Sequence, residues 1–136
     1  MTDVLKLTRQ LVDIESVTNH EAAVGECLLS TLSPLGVRFS GKVERCPVKA
    51  DVFNVFAHWG DPVVTLSTHM DTVPPFFPSR EDGEFVWGRG SADAKGIIAS
   101  MIGAAEELQG TSEALVTWNA PELLWFWKGS MRFGNR

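Results

Sequence analysis

The sequence has few of the residues on which several classes of protein depend. Its two cysteines, Cys27 and Cys46, lie far apart and fit neither a Cys-x-x-Cys redox motif nor the spacing of a zinc ribbon. We expect both to be buried thiols in a reducing compartment. Lysine and arginine number 12 against 17 aspartates and glutamates, which gives a net charge of −5. Because nucleic-acid binders neutralise phosphates with a basic patch, this balance argues against a nucleic-acid partner.

Long apolar runs are also missing. Nowhere do about 18 apolar residues follow one another, and no cluster of lysine and arginine suits anionic lipid, so we expect no membrane partner. The first residues, Met-Thr-Asp, show no basic leader followed by an apolar core. We therefore expect a soluble, cytoplasmic protein. Its 136 residues, of which 44% are hydrophobic, are enough for a single domain with a buried core.

Hydrophobic spacing predicts three helices. Apolar residues recur at intervals of three and four in residues 3–14 and again in residues 94–108, as on the buried face of an amphipathic helix. Between them, Thr18 and Glu21 have the form of a capping box that opens another helix. Pro34 is expected to end that helix, because proline cannot continue the hydrogen-bonding pattern.

Two β-rich segments lie between these helices. Residues 52–59 and 63–68 are rich in valine, phenylalanine and threonine, and the turn sequence Gly-Asp-Pro separates them. The second segment is nearly continuous in apolar character, as in an interior strand covered on both faces. Residues 74–78 contain three prolines and are expected to be an ordered loop. The alternation of helices and strands predicts an α/β fold.

The end of the second β-rich segment and the start of the last helix carry the residues best suited to chemistry. His69 and Asp71 close the run VVTLSTHMD, and Asp93 lies in the connection GRGSADAKG. Side chains two apart on a strand point the same way, so Asp71 can bind one nitrogen of the His69 ring while the other meets a metal. Imidazole and carboxylate are common zinc ligands. Taken singly, however, His69 is more simply a hydrogen-bonded core residue and Asp93 a helix N-cap.

Other chemical interpretations of this region are weaker. Gly88 and Gly90 begin a phosphate-binding motif, but the third glycine of Gly-x-Gly-x-x-Gly is absent. Glu106 and Glu107 are adjacent carboxylates, as in a pair of a general base and a metal ligand. They lie inside the helix that directly follows Asp93, so we expect them to form a solvated helix face.

The order of these motifs resembles that of a known enzyme family. His69-x-Asp71, the proline-rich loop and the glycine-rich segment around Asp93 are similar to the amino-terminal part of the co-catalytic dizinc peptidases and amidohydrolases. That family includes acetylornithine deacetylase, succinyl-diaminopimelate desuccinylase, aminoacylase and glutamate carboxypeptidase. The resemblance covers about residues 4–109 and includes LVDIESVT at residues 11–18. It implies part of a three-layer α/β/α catalytic domain with a mixed sheet.

The resemblance also implies roles for named residues. His69 would bind one metal, Asp71 would be a catalytic residue that orients the His69 ring, and Asp93 would bridge two metals. The peptide bond after Asp93 is implied to be cis. Arg89 and Lys95 match motif positions, and we assign them structural roles in positioning the loop. The implied cofactors are two zinc ions, with cobalt as an alternative, and the implied activity is hydrolysis of the amide bond in N-acyl amino acids or small peptides.

The sequence departs from the family's pattern after the glycine-rich segment. One helix and one strand after the bridging aspartate, the family has an adjacent Glu pair, which supplies a general base and a metal ligand. The corresponding residues here, 125–130, contain no glutamate, and the later carboxylate and histidine ligands are also absent. A general base is typically worth roughly 10²–10⁴-fold in rate, so we expect this chain to be inactive by itself.

Two segments are therefore predicted. Residues 1–110 would be the amino-terminal part of a truncated metallopeptidase catalytic domain. Residues 111–136 would be a divergent tail that ends disordered, and a shifted reading frame would explain its tryptophan-rich and then basic composition. The alternative is a non-catalytic fragment or binding module, whose unpaired sheet edge pairs with another chain. The expected partners are an N-acyl amino acid or peptide substrate, and either a second copy or a complementing chain.

Overall fold

The structure of the protein is a computed structural model that describes residues 1–60, 64–108 and 114–119. Three helices lie in these residues: α1 (Val4–Val12), α2 (Ala22–Arg38) and α3 (Gly96–Leu108). The strands are β1 (Lys42–Lys49), β2 (Val52–His58), β3 (Val64–His69), β4 (Arg80–Glu81), β5 (Val86–Trp87) and β6 (Ala114–Asn119). In these parts of the chain, no helix combines the length and hydropathy that crossing a bilayer requires.

Four strands form one mixed sheet in the order β1-β2-β6-β3. β2 pairs antiparallel with both β1 and β6, whereas β3 pairs parallel with β6. The short strands β4 and β5 form a separate antiparallel hairpin after the proline-rich loop. The predicted α/β class with a mixed sheet is confirmed.

One hydrophobic core joins the helices to the sheet. From β2 it includes Phe53, Val55 and Ala57, which lie two apart and therefore share one face of the sheet. All three helices contribute fully or largely buried residues to it, namely Leu7, Leu11, Val24, Leu28, Leu32, Ile98, Ala99, Ile102 and Ala105. Each fully buried leucine or isoleucine contributes about 1.5–3 kcal/mol. The described residues thus supply the sheet and one layer of helices.

The start of α2 differs from the prediction. The helix begins directly after Glu21, whose side chain makes no capping hydrogen bond, so the predicted capping box is wrong. Glu21 Oε1 instead accepts from the backbone N–H of Asn19 at 2.8 Å. The hydroxyl of Thr18 donates to Asp71, 53 residues away in the chain. Thr18 therefore bonds to Asp71, which is distant in the sequence, and does not cap the helix.

α2 also continues past Pro34, which was predicted to end it. A proline inside a helix removes one backbone donor and costs about 3 kcal/mol. Packing of the added turn opposes this cost, because Leu35 packs against the core. Gly36 is buried so closely under β1 that a Cβ there would lie 2.9 Å from Cγ2 of Val43.

Three strands differ from the expectations. β1 was not predicted, because its sequence alternates only weakly and contains a proline. β6 was not predicted either, yet it pairs with two strands in the middle of the sheet. β3 was expected to be an interior strand, but among the described residues it is an edge strand, and Thr65 and Ser67 are exposed. The predicted disorder at the end of residues 111–136 concerns residues outside the described ranges, and the division at residue 110 stays a prediction.

Candidate functional site

β3 and the turn before α3 bring His69, Asp71 and Asp93 together. His69 is the last residue of β3, and the fully buried Met70 anchors the strand end in the core between His69 and Asp71. Asp93 lies in an irregular turn, Ser91–Lys95, where its own backbone (φ −134°, ψ 96°) departs from helical geometry. The peptide bond after Asp93 is cis, as the resemblance implied.

The imidazole of His69 lies between two carboxylates. Its Nδ1 is 3.1 Å from Oδ1 of Asp71 and 3.1 Å from the backbone oxygen of the same residue. Its Nε2 is 2.9 Å from Oδ1 of Asp93. Burial by itself lowers the pKa of His69, but hydrogen bonds and charges from Asp93 and Asp71 outweigh burial and hold this pKa above its ordinary value. Each ring nitrogen therefore has a defined neighbour.

The two carboxylates differ in how they are held. Asp71 uses both oxygens: Oδ1 faces His69, and Oδ2 accepts from the hydroxyl of Thr18 at 2.7 Å. Its side chain is 14% exposed, whereas that of Asp93 is 85% exposed. Asp71 is suited to orient the ring, and Asp93 is open to a ligand from the cleft.

Residues 14–18, the segment between α1 and α2, run along the end of β3. Ser16 is fully buried, and its hydroxyl donates to the backbone oxygen of Met70 at 2.9 Å. The backbone oxygen of Ser16 accepts from the N–H of Thr72 at 2.8 Å, and Val17 and Thr72 form a parallel β-bridge. These bonds fix the segment beside Asp71.

The same segment is joined to the turn that carries Asp93. Lys95 is 1% exposed, and its Nζ donates to the backbone oxygen of Ile14 at 2.5 Å. Burial lowers the pKa of Lys95 to about 8, although the charge of nearby Asp13 opposes this shift. Lys95 N also donates to the oxygen of Gly90 at 2.8 Å. These contacts agree with the structural role predicted for Lys95.

Arg89 holds the proline-rich loop. Its Nε donates to the oxygen of Pro75 at 2.9 Å, and its backbone N–H donates to the oxygen of Phe77 at 3.0 Å. The guanidinium carbon lies 5.1 Å from the centre of the Phe77 ring, within the range of a cation–π contact. The loop is therefore ordered without regular structure, as predicted, and Arg89 positions it.

A cleft of about 300 Å³ contains the three site residues and is otherwise lined largely by the glycine-rich turn. The 2.9 Å between His69 Nε2 and Asp93 Oδ1 is close to the separation of about 3.3 Å between two ligands of one tetrahedral zinc. These two atoms therefore fit a divalent metal as part of its donor set. Within the described ranges no group of three or more His, Cys, Asp or Glu could hold an ion, so the described donor set is incomplete.

Glu106 and Glu107 have different surroundings. Glu107 is exposed, as predicted for a solvated helix face. The Glu106 side chain is 7% exposed, and its Oε1 lies 2.9 Å from Nη1 of Arg38. Burial by itself raises the pKa of Glu106, but hydrogen bonds from Thr2 and the charge of the amino terminus outweigh burial and hold this pKa below its ordinary value. The expectation of a solvated side chain is therefore wrong for Glu106, which instead joins α3 to α2 and to the amino terminus.

Comparisons with known proteins identify the family. Residues 65–117 match the model described as peptidase family M20/M25/M40. A probable carboxypeptidase of Emericella nidulans is 40% identical over 115 residues, which cover 76% of this chain and 26% of that protein. The chain belongs to the M20 peptidase family. A putative LysW-lysine/LysW-ornithine hydrolase of Pyrococcus abyssi is 35% identical to this M20 chain over 104 residues, with coverages of 76% and 29%.

Solved M20 structures share the fold. The M20 family metallo-carboxypeptidase Sso-CP2 of Sulfolobus solfataricus has a TM-score of 0.73 at 15% identity and is matched over 88% of this chain and 31% of its own. Human carnosine dipeptidase 1 has a TM-score of 0.66 at 16% identity, with coverages of 87% and 32%. Identities this low show the fold alone. This M20 chain spans 26% and 29% of the two curated relatives.

The sequence predicted that three residues of this cluster would lie together and missed a fourth residue beside them. His69, Asp71 and Asp93 lie together as expected, while their roles stay predictions. Thr18 was assigned to a helix start because a threonine three residues before Glu21 is a common local pattern. The available signal was its position in LVDIESVT, which belongs to the resemblance but carries no obvious chemistry.

Proposed function

We propose that this M20 chain carries part of a metal-dependent site that hydrolyses amide bonds in N-acyl amino acids or small peptides. The observation that supports this most directly is the His69 ring, whose Nδ1 is held by Asp71 while its Nε2 lies 2.9 Å from Asp93 in a cleft. Relatives named as carboxypeptidases and as a lysine or ornithine hydrolase support the same reaction class.

The residues of the cleft would have different roles in binding a metal. His69 and Asp93 would bind it, and the exposed Asp93 carboxylate would also reach a second ion. Asp71 keeps the proton of a neutral imidazole on Nδ1, so that Nε2 presents its lone pair to the cleft. When bound, the metal supplies Lewis-acid polarisation of the scissile carbonyl. We propose zinc, with cobalt as a substitute, because imidazole and carboxylate suit both ions.

The 136 residues are expected to show no turnover by themselves. Among the described residues, the carboxylates that line the cleft are Asp71 and Asp93, and both are already assigned to the metal and its ligand. A general base is typically worth roughly 10²–10⁴-fold, and no third carboxylate is available for that role in the described part of the cleft.

A replacement experiment tests the proposed reaction. The corresponding segment of a full-length carboxypeptidase relative is replaced by residues 1–119 of this chain, and zinc-dependent hydrolysis of N-acetyl amino acids and dipeptides is assayed. We expect turnover by the hybrid and none by the 136-residue chain. The same hybrid with His69→Ala is the matched control and should lose activity. A folded, zinc-loaded hybrid that cleaves none of these substrates would contradict the proposal.

A second candidate function is a binding module that pairs with another chain. Among the described residues, β3 is an edge strand in the sheet order β1-β2-β6-β3. Beside that edge lies an open apolar groove lined by Leu66, Ile97 and Met101, and the Ile97 side chain is 47% exposed. Such an edge and groove favour pairing with a complementing chain or a second copy. A stable, folded monomer by light scattering at micromolar concentration would count against this candidate.

A further inference from the structure

We propose that Thr18 is a positioning residue for the His69–Asp71 pair. Its hydroxyl fixes the Asp71 carboxylate, and that carboxylate decides which nitrogen of His69 faces the cleft. The inference rests on the proposed function, since it concerns how the same site is prepared for a metal.

The four residues lie in a row at hydrogen-bonding distances. Thr18 Oγ1 lies 2.7 Å from Asp71 Oδ2, Asp71 Oδ1 lies 3.1 Å from His69 Nδ1, and His69 Nε2 lies 2.9 Å from Asp93 Oδ1. The Asp71 carboxylate cannot rotate about its last bond without breaking the bond to Thr18 or to His69. The side chain of Asp71 is only 14% exposed, and its bond to Thr18 lies at the exposed side of the carboxylate.

The two carboxylates compete for one proton. A neutral imidazole carries a single N–H, and both ring nitrogens of His69 face a carboxylate. A proton on Nε2 would bind Asp93 and close the nitrogen to a metal, whereas a proton on Nδ1 leaves Nε2 free. Asp93 is 85% exposed, so its oxygens are open to solvent, while Thr18 holds Asp71 in place. The held carboxylate therefore favours the Nδ1–H form that metal binding needs.

The backbone fixes Thr18 relative to Asp71. Ser16 bonds to Met70 through its hydroxyl and to Thr72 through its carbonyl, so residues 14–18 follow the end of β3. The side chain of Thr18 is exposed and lies outside the hydrophobic core. Replacing it with valine therefore removes the donor while leaving the core and the segment's backbone bonds intact.

The test compares Thr18→Val with Thr18→Ser in the full chain. In the metal-free chain, at a pH well above the pKa of His69, long-range ¹H–¹⁵N spectra report which ring nitrogen carries the proton. Visible absorption reports the dissociation constant for Co²⁺. We expect wild type and Thr18→Ser to show the Nδ1–H form. In Thr18→Val, a larger fraction of His69 should carry its proton on Nε2. This variant should bind Co²⁺ about tenfold more weakly, which is the lower end of the loss seen when a residue that supports a metal ligand is replaced.

The outcomes separate this inference from the proposed function. Equal proton positions in Thr18→Val and Thr18→Ser, with equal Co²⁺ affinities, would overturn the role of Thr18. If wild type binds no Co²⁺ while Thr18→Val still moves the proton to Nε2, the proposed function fails and the positioning role stands. Loss of stability without a change in proton position would reduce Thr18 to a structural residue and also overturn the inference.

Discussion

The end of β3 and the turn before α3 hold their carboxylates in opposite ways. Asp71 is 14% exposed and bonded through both oxygens, to His69 and to Thr18. Asp93 is 85% exposed, and its hydrogen-bonded neighbour among the described residues is the ring of His69. One carboxylate is fixed by its side-chain partners, and the other by the backbone turn that carries it.

This difference is consistent with the two roles proposed above for these carboxylates. A group that orients a ligand has to be immobile, because its value lies in restricting the ring and its proton. A group that binds the metal, as proposed for Asp93, has to remain accessible, and Asp93 is carried by the turn Ser91–Lys95. Substitutions at Asp71 and Asp93 should therefore differ in their effects on Zn²⁺ affinity and on the free energy of unfolding. Substitution of Lys95 should show how strongly the turn depends on the contact of Lys95 with Ile14.

The largest effect is expected for Asp93→Asn. The amide removes the negative charge of a proposed metal ligand. Residues that only hydrogen-bond a metal ligand typically cost up to roughly 100-fold in metal affinity when they are replaced. We expect Asp93→Asn to lower the Zn²⁺ affinity by more than that. The free energy of unfolding of the metal-free chain should stay within about 0.5 kcal/mol of wild type, since the side chain is exposed. Competition with a chromogenic chelator measures the first quantity and urea unfolding the second.

Glu107→Gln is the matched control for Asp93→Asn. Glu107 is an exposed carboxylate of α3 that lies outside the cleft, and its substitution also removes one negative charge. An equal loss of Zn²⁺ affinity in both variants would mean that net charge, and not Asp93 itself, determines binding.

A smaller loss of affinity, with a loss of stability, is expected for Asp71→Asn. The amide would turn an N–H toward His69 Nδ1 and so favour a proton on Nε2, the form that cannot bind the metal. We expect Zn²⁺ affinity to fall about 10–100-fold and the free energy of unfolding by about 1 kcal/mol. Retention of the Nδ1–H form in this variant, seen by ¹⁵N NMR, would break the distinction between the two carboxylates.

The pH dependence of stability, compared between wild type and Lys95→Met, tests how the buried Lys95 contributes to the turn. Burial holds the pKa of folded Lys95 at about 8, below its ordinary 10.5, so the unfolded chain binds more protons between these values. Wild-type stability should therefore rise with pH in this window, by about 2 kcal/mol from pH 8 to pH 10 relative to Lys95→Met.

The two thiols contribute to stability over the same range of pH. Burial also raises the pKa of Cys27 and Cys46, which makes their contribution to stability fall as the pH rises. Wild type and Lys95→Met both contain Cys46, so its contribution cancels in the difference of urea midpoints. Cys27 and Lys95 influence each other's pKa, so this difference reports Lys95 together with its coupling to Cys27. Parallel pH curves for the two proteins would show that folding does not lower the pKa of Lys95.

Local patterns predicted which site residues lie together better than they predicted contacts between distant parts of the chain. His69, Asp71 and Asp93 were visible because two short motifs fix their spacing, and the α/β class followed from hydrophobic periodicity. Thr18 was not visible, because its partner lies 53 residues away and a local cap explained it equally well. Glu106 was wrongly taken as solvated, because its partner Arg38 comes from another helix.

α2 and the sheet also depend on contacts that local patterns do not reveal. Pro34 suggested a helix end, but packing of the following turn outweighs the lost backbone bond. β6 has an ordinary β-rich sequence, and only its pairing with β2 and β3 places it in the middle of the sheet. In each case the deciding contact is tertiary, and periodicity in a single sequence does not contain it.

The most direct measurement is a Zn²⁺ titration of the chain followed by the ring ¹⁵N signals of His69. We expect the Nε2 signal to shift on binding while Nδ1 keeps its proton, and we expect backbone changes to cluster around Asp93 and the end of β3. Asp93→Asn should abolish the shift at the same Zn²⁺ concentrations. A shift at Nδ1, or saturable binding that leaves His69 unchanged, would contradict the assignment of this site.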